Sequence, residues 1–437
     1  MKTVIYWFRN DLRLHDQPAL QAALTSGAER LVTVYCMPEL DSPTRWGCAS
    51  IGPLRRAWLR DALVDLQQQL QALGHVLQIY ALPVTQVLPQ LASAIDASAI
   101  YCEEIAAPYE QQQVADLRAA GISVHSIWQS SLLDPATLPW PTDSLPASFT
   151  PFRLAVEQRR IAPPAALPTP DRLLPPPPPL DSALLAMPAC TTLATLAAPY
   201  QCTASHDARS SLQGLEAGER AGLAQLQHYL DSSLPAHYKQ TRNQLSGRDF
   251  SSKWSIWLAT GALSARQIYA ALKQHEARQG ASDGSYWLWF ELLWRDYFRF
   301  LHLQHGATLY RAGGLSGKPV PPHDNAAFQR WCHGQTGVPL VDAAMRELRH
   351  SGYLSNRLRQ VVASYWLNEM QGDWRAGAAW FEACLLDYDV YSNQGNWLYL
   401  AGRGSDPRGG RHFNIDKQTA EHDADGSYRR LWGVAGI

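Results

Sequence analysis

The hydrophobic period of this chain changes once along its length, and that change restricts the folds open to it. Over residues 1–130, short apolar runs rich in β-branched residues alternate with helical patterns. The runs fall at 3–8, 31–36, 76–80, 99–102 and 124–127. Between them the clearest helix is 54–73, where Leu59, Leu63, Leu66, Leu70 and Leu73 recur at spacings of three and four. Gly27, Gly74 and Gly121 stand just before strands, where helix ends favour glycine. Strands alternating with helices predict a doubly wound parallel α/β domain. No G-x-G-x-x-G follows the first strand, so the usual dinucleotide fingerprint is missing.

Residues 131–215 break both periods. Proline recurs throughout and fills Pro175 to Pro179, a run that excludes helix and favours extended polyproline. This segment reads as an interdomain connector. Over 216–437 the helical period returns, at 223–230, 256–259, 265–274, 287–303, 341–349, 356–369 and 376–386, with almost no strand signal. The expected architecture is therefore α/β, then connector, then an all-helical domain.

Composition narrows the class. An apolar fraction of 46% with 18% charged residues fits a folded protein, and no run approaches a membrane span. The first residues lead straight into a strand, so no signal peptide is expected. Seven scattered cysteines without a C-x-x-C pair argue for a reducing cytosol and against structural zinc. With a net charge of −1, any contact with nucleic acid must come from a local patch. Of 16 tryptophans, eleven follow residue 250. Whatever needs aromatic surface therefore lies in the helical half.

Four constellations there carry chemical promise. Tyr238-Lys239-Gln240-Thr241-Arg242-Asn243 precedes Ser251-Ser252-Lys253-Trp254-Ser255, where hydroxyls and a lysine at a helix start either bind phosphate or merely cap the helix. Glu291, Trp294 and Arg295 share one helical face and suit the grip of a nucleobase, or form an ordinary exposed pair. Asn356, Arg359 and Gln360 share another face, with Arg359 a candidate partner for Asp387 or Asp389. Finally, Asp387, Asp389, Asn393 and Asn396 lie between Trp374 and Trp397. Buried carboxylates are costly unless paired, and indoles beside a redox group can pass electrons as well as fill space. No catalytic triad, Walker motif or H-E-x-x-H occurs, so no metal is expected.

Taken in order, these segments resemble the photolyase/cryptochrome family, most closely its cryptochrome DASH branch. The opening Tyr6-Trp7-Phe8-Arg9-Asn10-Asp11-Leu12-Arg13 is similar to the family's first motif. The segments above, Thr336 to Asp342, Met345 to Leu348, Asn393-Gln394-Gly395-Asn396-Trp397, Asp406-Pro407-Arg408 and Phe413-Asn414 follow in family order. Arg242-Asn243, Gln360 and Tyr399 are the finer points that match the DASH branch.

The resemblance implies a FAD-dependent, light-driven enzyme that repairs cyclobutane pyrimidine dimers, with single-stranded DNA preferred. The alternative is a blue-light-sensing cryptochrome with a regulatory role. Tyr238, Ser251, Ser252, Lys253, Trp254 and Ser255 would lie on the phosphate side of FAD. Asn356, Arg359, Asp387 and Asp389 would contact its ribose and flavin, and Asn393 would face flavin nitrogen 5. Glu291 would hydrogen-bond the flipped dimer, Trp294 would stack on it, and Arg242, Arg295, Gln360, Tyr399 and Gln418 would lie on the DNA side. Glu110 would hold a folate antenna, methenyltetrahydrofolate. Trp397 and Trp374 would be the inner members of an electron relay whose outer position falls near Pro321, so that either the relay ends early or another aromatic such as Trp331 or Trp380 provides the surface exit. The implied protein is a cytoplasmic monomer with no membrane partner.

Overall fold

The computed structural model describes residues 2–38, 43–177, 207–406 and 409–433. Strands β1 (Thr3–Phe8), β2 (Arg30–Cys36), β3 (Leu77–Tyr80), β4 (Ala97–Glu103) and β5 (Val124–Ile127) form one parallel sheet in the order β3-β2-β1-β4-β5. Every residue of β1 is buried, which explains its unbroken apolar run: a central parallel strand is covered on both faces. Val4, Tyr6 and Phe8 pack towards α1 (Pro18–Leu24) and α2 (Pro53–Ala72). Ile5 and Trp7 pack towards α3 (Val84–Ala94) and α4 (Pro108–Ala119). Gly27, Gly74 and Gly121 have φ of 75°, 77° and 84°, as their helix-end positions predict.

The connector is less irregular than its prolines suggest. It contains α5 (Phe149–Gln158), whose Phe149, Phe152 and Val156 enter the main core. The extended stretch that follows docks on the sheet, with Leu31 N donating to Pro175 O at 3.1 Å. Pro178 and Pro179 of the polyproline run lie outside the described residues, as do Cys190, Cys202, Pro407 and Arg408.

The helical half comprises α6 (Glu219–Asp231), α7 (Leu234–Thr241), α8 (Ser255–Thr260), α9 (Ala265–Gln279), α10 (Asp283–His305), α11 (Asn325–Cys332), α12 (Pro339–Ser351), α13 (Asn356–Asn368), α14 (Trp374–Cys384), α15 (Val390–Leu400), α16 (Ile415–His422) and α17 (Ser427–Trp432). The expectation of helices without strands after 216 holds among the described residues. No described helix is long and apolar enough to cross a membrane.

Polar residues of the opening motif join the two halves. Leu12 N donates to Thr260 O at 3.0 Å, and the Arg13 guanidinium donates to Gly261 O at 2.8 Å. Arg266 pairs with Asp16 at 2.9 Å, and Glu219 accepts from Leu14 N at 2.7 Å. Deeper in the same seam, Asp296 of α10 accepts from Leu132 N and Leu133 N at 2.8 and 2.7 Å. These contacts fix α10 and α8 against the sheet domain, and α10 carries much of the site.

Candidate active site

A cavity of about 570 Å³ opens between α7, α8, α10, α13 and the start of α15. It gathers Tyr238, Ser251, Ser252, Lys253, Trp254, Ser255, Asn356, Arg359, Asp387 and Asp389, residues drawn from distant parts of the chain. Arg242, Glu291, Trp294, Arg295, Gln360 and Tyr399 line the same space. Behind it lies a smaller cavity of about 70 Å³, lined by Asn393 and Trp397, which shares Arg359, Asp387 and Asp389 with the larger one.

Lys253 is the electrostatic anomaly of this cavity. It is 2% exposed and has a φ of 58°, and among the described residues it has no ion-pair partner. Its ammonium lies 3.2 Å from the Phe250 ring centroid and donates to Ser251 Oγ at 3.1 Å and Tyr353 OH at 3.4 Å. Burial holds its pKa well below the usual lysine range, with Glu347 and Asp249 opposing. A buried cation beside two serines at the start of α8 suits an anionic ligand such as a diphosphate.

The two acids are paired within the protein. Arg359 donates to both oxygens of Asp387, at 2.9 and 2.8 Å. Asp389 pairs instead with Arg299 at 2.5 Å, and it caps α15 by accepting from Ser392 N at 2.8 Å. Burial works against the Asp389 charge, yet Arg299 and Arg295 hold its carboxyl well below the usual range. Arg299 was not singled out in the sequence, although Glu291, Arg295 and Arg299 follow one another at intervals of four along α10. Asn393 lines the inner cavity and donates through Nδ2 to Ala378 O at 3.0 Å.

At the mouth, Arg242 is ion-paired with Glu291, and its guanidinium stacks 4.0 Å above the Trp287 ring. Burial raises the Glu291 pKa, and Arg242 opposes that shift. Phe149 stacks on Trp294 at 3.9 Å and 14°, so one face of that indole is already occupied. This partner, from the connector, was not foreseen.

Two residues expected on the nucleic-acid side are oriented otherwise. Arg295 lines the cavity but donates inward to Ser130 O, and burial, with Arg299, pushes its pKa down to about 10. Gln418 is buried in α16, with its Oε1 unpartnered, and lines none of the described cavities. One of the two substitutes for the outer end of the relay is removed. Trp331 is wholly buried, with its Nε1 donating to Val362 O at 3.1 Å, so it cannot be a surface exit. Its ring lies 6.3 Å from that of Trp397 and 5.4 Å from that of Trp366, inside the core. Trp374 is buried, with its Nε1 on Ala312 O at 3.0 Å, while Trp380 is half-buried.

Glu110 lies elsewhere, in a groove of about 450 Å³ between the sheet domain and the helices. Glu382 lines the same groove, and burial raises both carboxyl pKa values. Among the described residues no group of His, Cys, Asp or Glu could hold a metal ion.

The chain is similar to known proteins along nearly its whole length. Residues 4–171 match the DNA photolyase family, and residues 287–434 match the FAD binding domain of DNA photolyase. The chain is 43% identical to a cryptochrome DASH of Synechocystis sp. over 98% of its own length and 87% of that protein. A cryptochrome DASH of Gloeobacter violaceus is 42% identical over 99% of this chain and 85% of that protein. Among solved structures, a Synechocystis cryptochrome superposes with a TM-score of 0.88 at 40% identity, covering 99% of this chain and 88% of that one. A class III photolyase from Agrobacterium tumefaciens superposes with a TM-score of 0.81 at 28% identity, covering 99% and 86%.

Proposed function

Because this chain belongs to the photolyase/cryptochrome family, with cryptochromes DASH as near relatives, we propose that it is a light-driven flavoprotein that splits cyclobutane pyrimidine dimers, preferentially in single-stranded DNA. One observation carries the reading. Glu291, Arg242 and the aromatic Trp294 line the same cavity that Lys253, Asp387 and Asp389 line. A base-gripping set and a set of buried charged groups thus share one space.

Lys253, the hydroxyls of Ser251, Ser252 and Ser255, and Tyr238 would hold the FAD phosphates. Lys253, buried and without an ion-pair partner among the described residues, would gain from a diphosphate the counter-charge that favours its ammonium form. Trp254 precedes α8 there, and Asn356, Arg359, Asp387 and Asp389 form the opposing polar wall. FAD, when bound, supplies a light-absorbing ring and, in reduced form, an electron that returns once the dimer has opened. Asn393 Oδ1 is an acceptor fixed in place by Ala378, suited to tuning that ring. Trp397 and Trp374 are the proposed inner relay.

The protein's own work on DNA is to receive an extruded dimer. Glu291 as a carboxylate accepts from a pyrimidine N–H, and the face of Trp294 not taken by Phe149 offers stacking. Tyr399 and Gln360 complete the wall. Extruding bases from a duplex costs a few kcal/mol, most of which a single strand does not incur. Illuminating the reduced protein with dimer-bearing oligonucleotides tests this; unchanged dimer content on both strand forms would sink it.

The relatives' printed name, cryptochrome, favours a second reading as a blue-light sensor. A cellular light response that survives Glu291→Gln while repair is lost would favour it. We further place a folate antenna, methenyltetrahydrofolate, in the Glu110 groove, and a monomer in a reducing cytosol. The described cysteines are all unpaired, in keeping with that compartment.

A further inference from the structure

A separate cavity of about 290 Å³ adjoins the proposed dimer site and is not used by the reading above. The two spaces share Trp294, Phe298 and Tyr399 as walls. Trp294 and Tyr399 meet edge to face at 6.4 Å and stand between the two spaces, with Phe149 stacked on the Trp294 face turned away from the dimer site. On the far side, Phe149 and Tyr297 add further ring surface, and Tyr297 is held by hydrogen bonds to Pro146 O at 2.9 Å and Ser405 Oγ at 3.3 Å. The rim carries small hydroxyl residues, Ser148, Thr150 and Ser405.

We propose that this cavity is a subsite for the nucleobase next to the dimer. Aromatic walls with a hydroxyl rim suit a planar heterocycle of any sequence, since every base has a π-face and hydroxyls both donate and accept. The occupant follows from the shared partition. A dimer seated on the free face of Trp294 brings its neighbour, one backbone step away, to the far side of the Trp294–Phe149 stack, where the Phe149 ring lines the cavity. In a duplex that neighbour is paired and stacked, and entering the cavity would add a second unpairing cost. In a single strand it enters nearly free, so the subsite gives the strand preference a structural cause.

The inference rests on the repair reading, and the test separates the two. Three ligands are used in the dark on the flavin-loaded protein: a dimer dinucleotide, a single-stranded dimer oligonucleotide with 2-aminopurine beside the dimer, and the same strand abasic there. Two variants obstruct the cavity alone: Leu315→Trp fills it from within, and Thr150→Trp covers its mouth from an exposed position. The wild type should bind the 2-aminopurine strand about tenfold more tightly than the abasic one and quench its fluorescence. Either folded variant should lose that difference and the quenching, yet bind the dinucleotide as the wild type does. Wild-type behaviour of both variants on all three ligands would overturn the subsite. Failure of every protein to bind the dinucleotide or either strand would overturn the repair reading, and the subsite with it.

Discussion

Among the described residues Lys253 has no carboxylate partner, and burial disfavours its charged form unless a ligand compensates it. Its φ of 58° adds backbone strain that a β-carbon-bearing residue rarely carries. Two opposite effects should follow from Lys253→Met: a higher thermal midpoint for the flavin-free protein, and flavin affinity weakened about tenfold or more. Scanning fluorimetry and equilibrium dialysis read the two separately; a parallel fall in both would mean that Lys253 only supports packing. Glu291 and Arg242 form a second linked pair. Glu291→Gln should slow repair roughly tenfold to a hundredfold, the range for losing a hydrogen bond to a charged group. Arg242 opposes the upward push of burial on Glu291, so in Arg242→Gln the carboxyl protonates at higher pH. Dimer binding that needs the carboxylate would then lose its acid limb at higher pH than in the wild type, and Arg242→Lys should restore much of it. The acids at 387 and 389 stood out in the sequence because unpaired acids do not belong in a core. Arg359 stood out as a partner for one acid or the other, but Arg299 did not, since helix packing gives Arg359 to Asp387 and Arg299 to Asp389.

Strands were the most legible elements, because a parallel strand covered on both faces must be apolar throughout, and such runs are short and unmistakable. Helix α15 was not legible. It carries the polar residues Ser392, Asn393, Gln394 and Asn396 around its circumference, and Gly395 sits in its middle, where glycine normally weakens a helix. The structure supplies the reason: a β-carbon at 395 would lie 2.1 Å from the Phe298 ring, so α10 and α15 approach too closely for any side chain. Helix α5 was hidden by the surrounding prolines, and its docking of Phe149 on Trp294 is a long-range contact that no local pattern encodes. Gly261 shows the same dependence on partners between elements. It ends α8 at a φ of 70°, and a β-carbon there would stand 1.9 Å from Asn10 O. Gly261→Ala should therefore push the opening motif off α8 and cost about 2–4 kcal/mol from strain plus lost hydrogen bonds. A lower denaturant midpoint, with faster proteolysis between the halves, would register it; an unchanged midpoint would show that the seam can relax.

For the whole molecule, buried ions at this seam and in the core couple stability to pH in opposing directions. Burial disfavours the Asp16 charge, but Arg266 and Arg13 more than offset it and hold the carboxyl below its ordinary range; His15 does the same for Glu219. A carboxylate lowered in the fold binds fewer protons there than in the unfolded chain. Its stabilisation is therefore complete above the unfolded pKa of about 4 and is lost as pH falls through the folded value. Glu103 and Glu347 behave oppositely, because burial pushes each up to about 8. Between the unfolded value near 4 and the folded value, the native state keeps a proton that the unfolded chain has released. Stability contributed by these two groups thus falls as pH rises across that window and levels off above it. Glu103 has an unpartnered Oε2 and Glu347 an unpartnered Oε1, and although the Tyr428 hydroxyl donates to Glu347 Oε2, burial still outweighs it. Glu103→Gln and Glu347→Gln, uncharged at every pH, should each gain stability over the wild type progressively from about pH 5 to pH 8. Denaturant titrations at intervals across that range measure the difference directly. A constant offset between wild type and variant would show that these carboxyls do not titrate differently in the two states.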